Sequence, residues 1–224
     1  MAEEKSIAER SHISPSSLET TSVYLRMPEN VQGMKILDIG SGPSTMVNEL
    51  TRKGAQAVDV DYNYRDMKGL KRAADKFINH PDFQGSHKQA LRNAMRKVKD
   101  TFFGQLDAGK KPYIAGLAGE LPFADDTFNL AYSSGCISTL LINDAEILRK
   151  SILEGVRVIK PGKTLQIAPW NIPDLTEDAQ MNASIALQIL KKRNIPFTIE
   201  EVPGRQASRL IITKPLDTTD SNTG

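Results

Sequence analysis

The ten residues Lys35-Ile-Leu-Asp-Ile-Gly-Ser-Gly-Pro-Ser44 constrain the fold of this chain more than any others. They read as a buried strand, a glycine turn and the start of a helix. Ile36, Leu37 and Ile39 supply the apolar strand, and Gly40 and Gly42 permit a sharp bend with space for a ligand to lie against it. The following strand-like run, Gln56-Ala-Val-Asp-Val-Asp-Tyr62, brings Asp61 to about twenty residues beyond the turn, the distance at which a carboxylate in a βαβ unit reaches a ribose diol. The pattern predicts a cofactor containing a nucleoside, without saying which.

The rest of the chain continues the alternation. Ser16-Ser17 cap a short helix to about Met27 with Leu18, Val23 and Tyr24 inward. A helix over 44–53 ends at Gly54, strand two covers 56–61, and a helix over 64–78 stops before Pro81. A basic helix over 87–103 places Leu91, Met95, Val98 and Phe102 on one face and Lys88, Arg92, Arg96 and Lys99 on another. Strands are expected at 112–116, 128–133 and 164–168. The helix over 144–159 buries Ile147, Leu148, Ile152, Val156 and Ile159, and another helix spans 177–193. Two last strands, 197–202 and 209–213, are joined by a few residues around Gly204, a connection too short for a parallel crossover. Alternating strands and helices predict an α/β, doubly wound, mostly parallel sheet, and the closing hairpin inserts one antiparallel strand.

Composition narrows the class. A chain of 224 residues, 39% hydrophobic and 25% charged, suits one domain with a sizeable core. Residues 1–33 are expected to form a flexible arm with a short helix, able to act as a lid. Residues 34–214 form the domain proper with a helical insertion at about 80–111, and 215–224 form a disordered tail. No run is long enough to cross a bilayer and no secretory signal is seen, so a cytoplasmic location is expected. The single cysteine, Cys136, excludes an intrachain disulfide and most thiolate metal sites. His12, His80 and His87 are scattered, so neither a metal site nor a catalytic triad is expected. The net charge is only +2, yet Arg65 to Lys111 holds twelve Lys/Arg against five Asp/Glu. That segment is either a solvated helical surface or a face for an anionic partner such as RNA.

Four stretches carry a resemblance. These are Leu37-Asp-Ile-Gly-Ser-Gly-Pro43, Val58-Asp-Val-Asp-Tyr-Asn63, Gly119-Glu-Leu-Pro-Phe-Ala-Asp-Asp-Thr-Phe-Asn-Leu130 and Glu154-Gly-Val-Arg-Val-Ile-Lys-Pro-Gly162. In this order and at these intervals the chain resembles the class I S-adenosylmethionine-dependent methyltransferases, particularly their small-molecule "type 11" branch, over about residues 34–214. The resemblance implies a seven-stranded Rossmann-like sheet of order 3-2-1-4-5-7-6 with strand seven antiparallel. It implies S-adenosyl-L-methionine as cofactor and S-adenosyl-L-homocysteine as product. Asp38, Gly40, Ser41 and Gly42 would face the methionine portion. Asp61 would hold the ribose, with Asp59 as the alternative and Tyr62 alongside. Leu117, Ala118 and Glu120 would border the adenine, and Ser133 and Ser134 the reacting methyl. Tyr24 and Trp170 are candidates to meet the substrate.

The chain departs from the family pattern at three positions. Leu117 stands where an acidic residue often accepts from the adenine amino group, so a backbone carbonyl or Glu120 must replace it. Asn129 stands where aspartate is common, and Lys163 where a second glycine is common. Against a dinucleotide site, Pro43, Ser44 and Thr45 offer no third glycine for packing around a pyrophosphate. Gly135-Cys136-Ile137 lacks the proline that accompanies the nucleophilic cysteine of enzymes methylating carbon 5 of pyrimidines, and reads instead as a small buried apolar site. Trp170 reads equally as a platform for a flat or cationic substrate and as a loop anchor. No general base is assigned. The expected activity is methyl transfer to a small molecule; the alternatives are an RNA or ribonucleoprotein methyltransferase using residues 65–111 and a non-catalytic cofactor-binding protein.

Overall fold

The apolar run Ile36–Ile39 does become a strand with four consecutive buried residues, and the sheet is assembled around it. A computed structural model describes residues 16–80, 88–107, 113–170 and 176–216. The expectations for His12, His87, the tail from 217 and parts of the arm and insertion lie outside the described residues. Strands β1 (Lys35–Ile39), β2 (Gln56–Asp61), β3 (Tyr113–Ala115), β4 (Phe128–Ser134), β5 (Ile159–Trp170), β6 (Phe197–Glu201) and β7 (Ser208–Thr213) form one sheet. Their order is β3-β2-β1-β4-β5-β7-β6, and β7 is antiparallel to both neighbours. The expected fold class is therefore observed.

The helices are α1 (Leu18–Ser22), α2 (Met46–Arg52), α3 (Met67–Ile78), α4 (Gln89–Asp107), α5 (Ala145–Val158) and α6 (Glu177–Lys192). Side chains that accept from backbone amides start several of them. Asp66 caps α3, Asp144 caps α5 and Thr176 caps α6, each satisfying an orphan N–H of the first turn. Helix α2 ends at Gly54, whose φ of +89° only glycine adopts cheaply.

Strand alternation divides the core in two. Leu37, Ile39, Val60, Ala131, Leu165 and Ile167 face a large cluster that includes buried residues of α5 and α6. The opposite face carries Ile36, Leu130, Tyr132 and Ala168, packed with α2 and with residues preceding β1. That face also holds a polar row. Asp59, Asp38, Tyr132 and Gln166 are successive register partners across β2, β1, β4 and β5, and all four are buried.

Several sequence expectations need correction. The first helix is five residues long and does not reach Met27; beyond it Leu25 is buried while Val23 is exposed. The described part of the arm is docked onto the sheet. Gln166 accepts from the Arg26 amide at 2.8 Å and donates to the Arg26 carbonyl at 2.9 Å, and the Ser16 carbonyl accepts from Thr45 at 3.0 Å. Leu91 and Ile147 are exposed, because α4 and α5 bury narrower stripes than an idealised apolar face. Lys99 is only 8% exposed. Burial alone would lower its pKa, but its ion pairs with Asp75 and Asp100 outweigh that and raise it.

The Gln166–Arg26 pairing gives a direct test of this docking. Gln166→Leu removes both partners of a part-buried backbone N–H and C=O and is expected to cost about 1–2 kcal/mol. Urea unfolding measures that loss, and limited proteolysis should show faster cleavage between residues 16 and 30.

Candidate cofactor site

The site begins where β1 ends. The Gly40 amide donates to the Val60 carbonyl at 2.7 Å, which holds the turn against β2. Gly40 has φ +73° and Gly42 φ +55°, so both occupy the left-handed region. Gly40 is required for a second reason. A Cβ there would lie 2.2 Å from the Cβ of Cys136, so the turn after β4 closes directly onto the turn after β1. Gly135, with φ +84°, starts that second turn, and its amide donates to the Ala168 carbonyl at 2.8 Å.

Asp61 joins the two halves of the first βαβ unit. Its Oδ2 accepts from the Gly42 amide at 2.9 Å, and its Oδ1 accepts from the Asn63 amide at 2.7 Å. The Asn63 side chain also bonds to this carboxylate, whose two oxygens together offer four lone pairs and so keep acceptor capacity beyond these three donors. Two acceptors at the end of a strand beside a glycine turn fit a vicinal diol. Burial raises the pKa of Asp61, the amides of Asn63 and Gly42 partly offset this, and the charge of Asp59 adds to the rise.

The surroundings of the turn are electronegative. Burial pushes the Tyr64 hydroxyl well up, and Asp59, Asp61 and Asp38 raise it further. Burial also raises the Cys136 thiol, followed by the charges of Asp61 and Asp38. Tyr132 shows the same pattern, with burial first and Asp38 next. Both phenols and the thiol are therefore held protonated. Tyr64 seals one side of the turn, its hydroxyl 2.5 Å from Ser41 Oγ and donating to the Gly42 carbonyl at 3.0 Å. Such a field suits a cationic ligand and disfavours a pyrophosphate.

The structure brings Asp38, Gly40, Ser41, Gly42 and Asp61 together, with Asp59 buried on the same face as Asp61 and opposite Asp38. Tyr62 is exposed beside them, the Arg65 guanidinium 4.9 Å from its ring centre. Leu117, Ala118 and Glu120 lie on the loop after β3, where the Glu120 amide donates to the Leu117 carbonyl at 3.0 Å. Two expectations change. Ser133 is fully buried and its hydroxyl accepts from the Ile137 amide at 3.2 Å, so it supports the turn after β4 instead of lining a cleft. Ser134 is half-buried at the strand end. Trp170 is 2% exposed within the large cluster, so the packing alternative is the one observed. Tyr24 is half-buried, with the Arg205 guanidinium 5.9 Å from its ring centre.

Sequence reasoning missed the support of the loop after β3. Glu154 Oε2 accepts from the Leu121 amide at 2.8 Å, and Arg157 donates to the Leu121 and Phe123 carbonyls at 3.0 and 2.8 Å. The i,i+3 spacing of an acid and an arginine on a helix was the available signal.

The model of a family described as "Methyltransferase domain" matches residues 37–167, more than half the chain. The chain belongs to this methyltransferase-domain family. Its cofactor is S-adenosyl-L-methionine, a sulfonium with a ribose diol, in keeping with the acidic turn and with Asp61. No curated protein matches the sequence. Among solved structures, a Pyrococcus horikoshii OT3 protein is similar at 17% identity, over 88% of this chain and 89% of that one, with a TM-score of 0.53. A protein from Methanococcus maripaludis, assigned as an S-adenosyl-L-methionine-dependent methyltransferase, gives 15%, 84%, 80% and 0.50. The protein described as a methyltransferase in complex with the Haloferax volcanii Trm112 methyltransferase activator gives 12%, 88%, 89% and 0.51. At these identities the likeness is one of fold. Among the described residues there is no cluster of three metal-ligating side chains, and no helix is long and apolar enough to cross a membrane.

The closeness of the two turns is testable. Gly40→Ala is expected to destabilise the methyltransferase domain by at least about 2 kcal/mol, from left-handed strain plus the clash with Cys136. Adding Cys136→Gly should recover part of that loss in denaturant unfolding, since it removes the clash and leaves the strain.

Proposed function

We propose that the chain is an S-adenosyl-L-methionine-dependent methyltransferase acting on a small-molecule acceptor. The observation that carries this reading is the buried acidic surround of the glycine turn, with Asp61 offering its remaining acceptor capacity. Asp61 would hold the ribose hydroxyls, and Asp38, Gly40, Ser41 and Gly42 would border the methionine portion. Tyr62, Leu117, Ala118 and Glu120 would flank the base. The sulfonium supplies an activated methyl group and a good leaving group.

The protein's task is then to orient the acceptor atom and exclude water. Burial is the main cause that raises both the Tyr64 hydroxyl and the Cys136 thiol, and no side chain is assigned as a general base. Catalysis by proximity and orientation is the reading that remains for these side chains. A small acceptor is favoured because the segment before β1 is docked across the sheet through Leu25, Arg26 and Gln166. Tyr24 is the residue of that segment we place beside the acceptor, and Ser134 beside the reacting methyl. The connection between β6 and β7 is short, leaving little room there for a macromolecular recognition module.

RNA is the runner-up acceptor. Lys68, Lys71, Arg72 and Lys76 on α3 and Arg96 and Lys97 on α4 are exposed, so the two helices present a basic surface. Incubation with methyl-labelled cofactor and fractionated cell extract separates the two. Label in a low-molecular-weight compound supports the proposal, and label only in RNA or protein overturns it.

Asp61→Ala is expected to weaken cofactor binding by about 1–3 kcal/mol through loss of charge-assisted hydrogen bonds, read by calorimetric titration. The pH dependence has a definite sign. The free protein's Asp61 carboxyl titrates above the ordinary aspartate value, and binding favours its ionised form. Affinity should therefore fall on acidification, beginning above the usual aspartate range, and Asp61→Ala should flatten that fall.

A further inference from the structure

We propose that Glu154 and Arg157 of α5 are positioning residues that set the base end of the cofactor cleft and its selectivity for adenine. The inference rests on the cofactor reading above. The starting point is Leu117, whose side chain is 42% exposed and can neither donate nor accept a hydrogen bond. The edge of the base must then be met by main-chain groups of the loop after β3, or by Glu120 on the same loop. Groups of that kind discriminate only while the loop is held in one conformation.

The structure supplies the restraint from α5. Arg157 donates from Nη2 to the Leu121 carbonyl at 3.0 Å and from Nη1 to the Phe123 carbonyl at 2.8 Å. Nη1 also reaches Asp125 Oδ1 at 2.6 Å. Glu154 holds the guanidinium at both Nε and Nη2, at 2.7 and 2.8 Å, while its Oε2 takes the Leu121 amide. Both main-chain polar groups of Leu121 are thus fixed to one helical turn. The fork geometry is specific to arginine, because an ammonium cannot span two carbonyls and two carboxylates at once.

Close packing holds the other end of the loop. A Cβ on Gly116 would lie 2.7 Å from a Val60 methyl, and a Cβ on Gly119 would lie 3.2 Å from Lys150 Cβ. The loop is pressed between β2 and α5 with no slack at either glycine. Hydrogen bonding to Arg157 lowers the pKa of Glu154, and hydrogen bonding to Glu154 raises that of Arg157, so the clamp stays charged across the working range of pH.

The test compares S-adenosylhomocysteine with S-inosylhomocysteine, in which a carbonyl replaces the amino group of the base. Calorimetric titration of the wild type is expected to favour the adenine ligand by at least about tenfold. Arg157→Lys and Glu154→Gln should each shrink that preference about fivefold or more, more through weaker binding of the adenine ligand than of its analogue. Arg149→Ala breaks the Glu146–Arg149 pair on the same helix and should leave the preference unchanged. Near-UV circular dichroism verifies folding, and Glu154→Gln carries the test should Arg157→Lys not fold. Folded variants that keep the wild-type preference overturn the positioning role. A wild type that binds neither ligand overturns the cofactor reading itself.

Discussion

The carboxylate of Asp61 is the tie on which the site depends. One oxygen takes the amide of Gly42, from the turn after β1, and the other takes the amide of Asn63, beyond the end of β2. Two loops at the ends of neighbouring strands are thereby fixed to one side chain, and Tyr64 adds a second link between them. The ionised form is costly to bury, and burial outweighs the stabilising effect of these bonds on its pKa. A protein that keeps a carboxylate under such conditions has a site poised for donors that a ligand brings.

The same face of the sheet explains how the cleft is bounded. Asp59, Asp38, Tyr132 and Gln166 run across four strands as one buried polar row. At one end lies the acidic turn. At the other, Gln166 uses its amide to pair with the backbone of Arg26 as a neighbouring strand would. The row gives the segment before β1 a fixed polar anchor, while Leu25 and Val31 give it apolar cover against α2 and β4. The opposite face needs no such device, since α5 and α6 bury it with ordinary aliphatic packing.

Much of this was legible in the residues. The bounds of β1 and β2 follow from short apolar runs closed by glycine and aspartate, and Asp61 stands out by its distance from the turn. The antiparallel β7 follows from a connection too short for a crossover. What was not legible depends on register or on distant partners. The polar row exists only once β1, β2, β4 and β5 are aligned, because each member alone looks like a mid-strand exception. Ser133 and Trp170 sit at strand ends, where sequence cannot distinguish a residue facing a cleft from one turned into the core. Lys99 looks like part of a solvated stripe until α3 brings Asp75 against it. The restraint from Glu154 and Arg157 joins residues more than thirty positions apart, and only their mutual spacing hinted at it. Asn129, a departure from the family pattern, proves useful where it is: its side chain accepts from the Lys35 amide at the start of β1.

The antiparallel insertion of β7 has a consequence for how the chain matures. Strand β5 pairs with β4 on one side and β7 on the other, yet α6 and β6 are synthesised between them. The long outer flank of β5, with Leu165 and Ile167, is closed only by Ile212 and Leu210 of that later strand. Completing that edge therefore requires a non-local pairing across about forty residues of intervening chain, the class of contact that makes sheet formation slow.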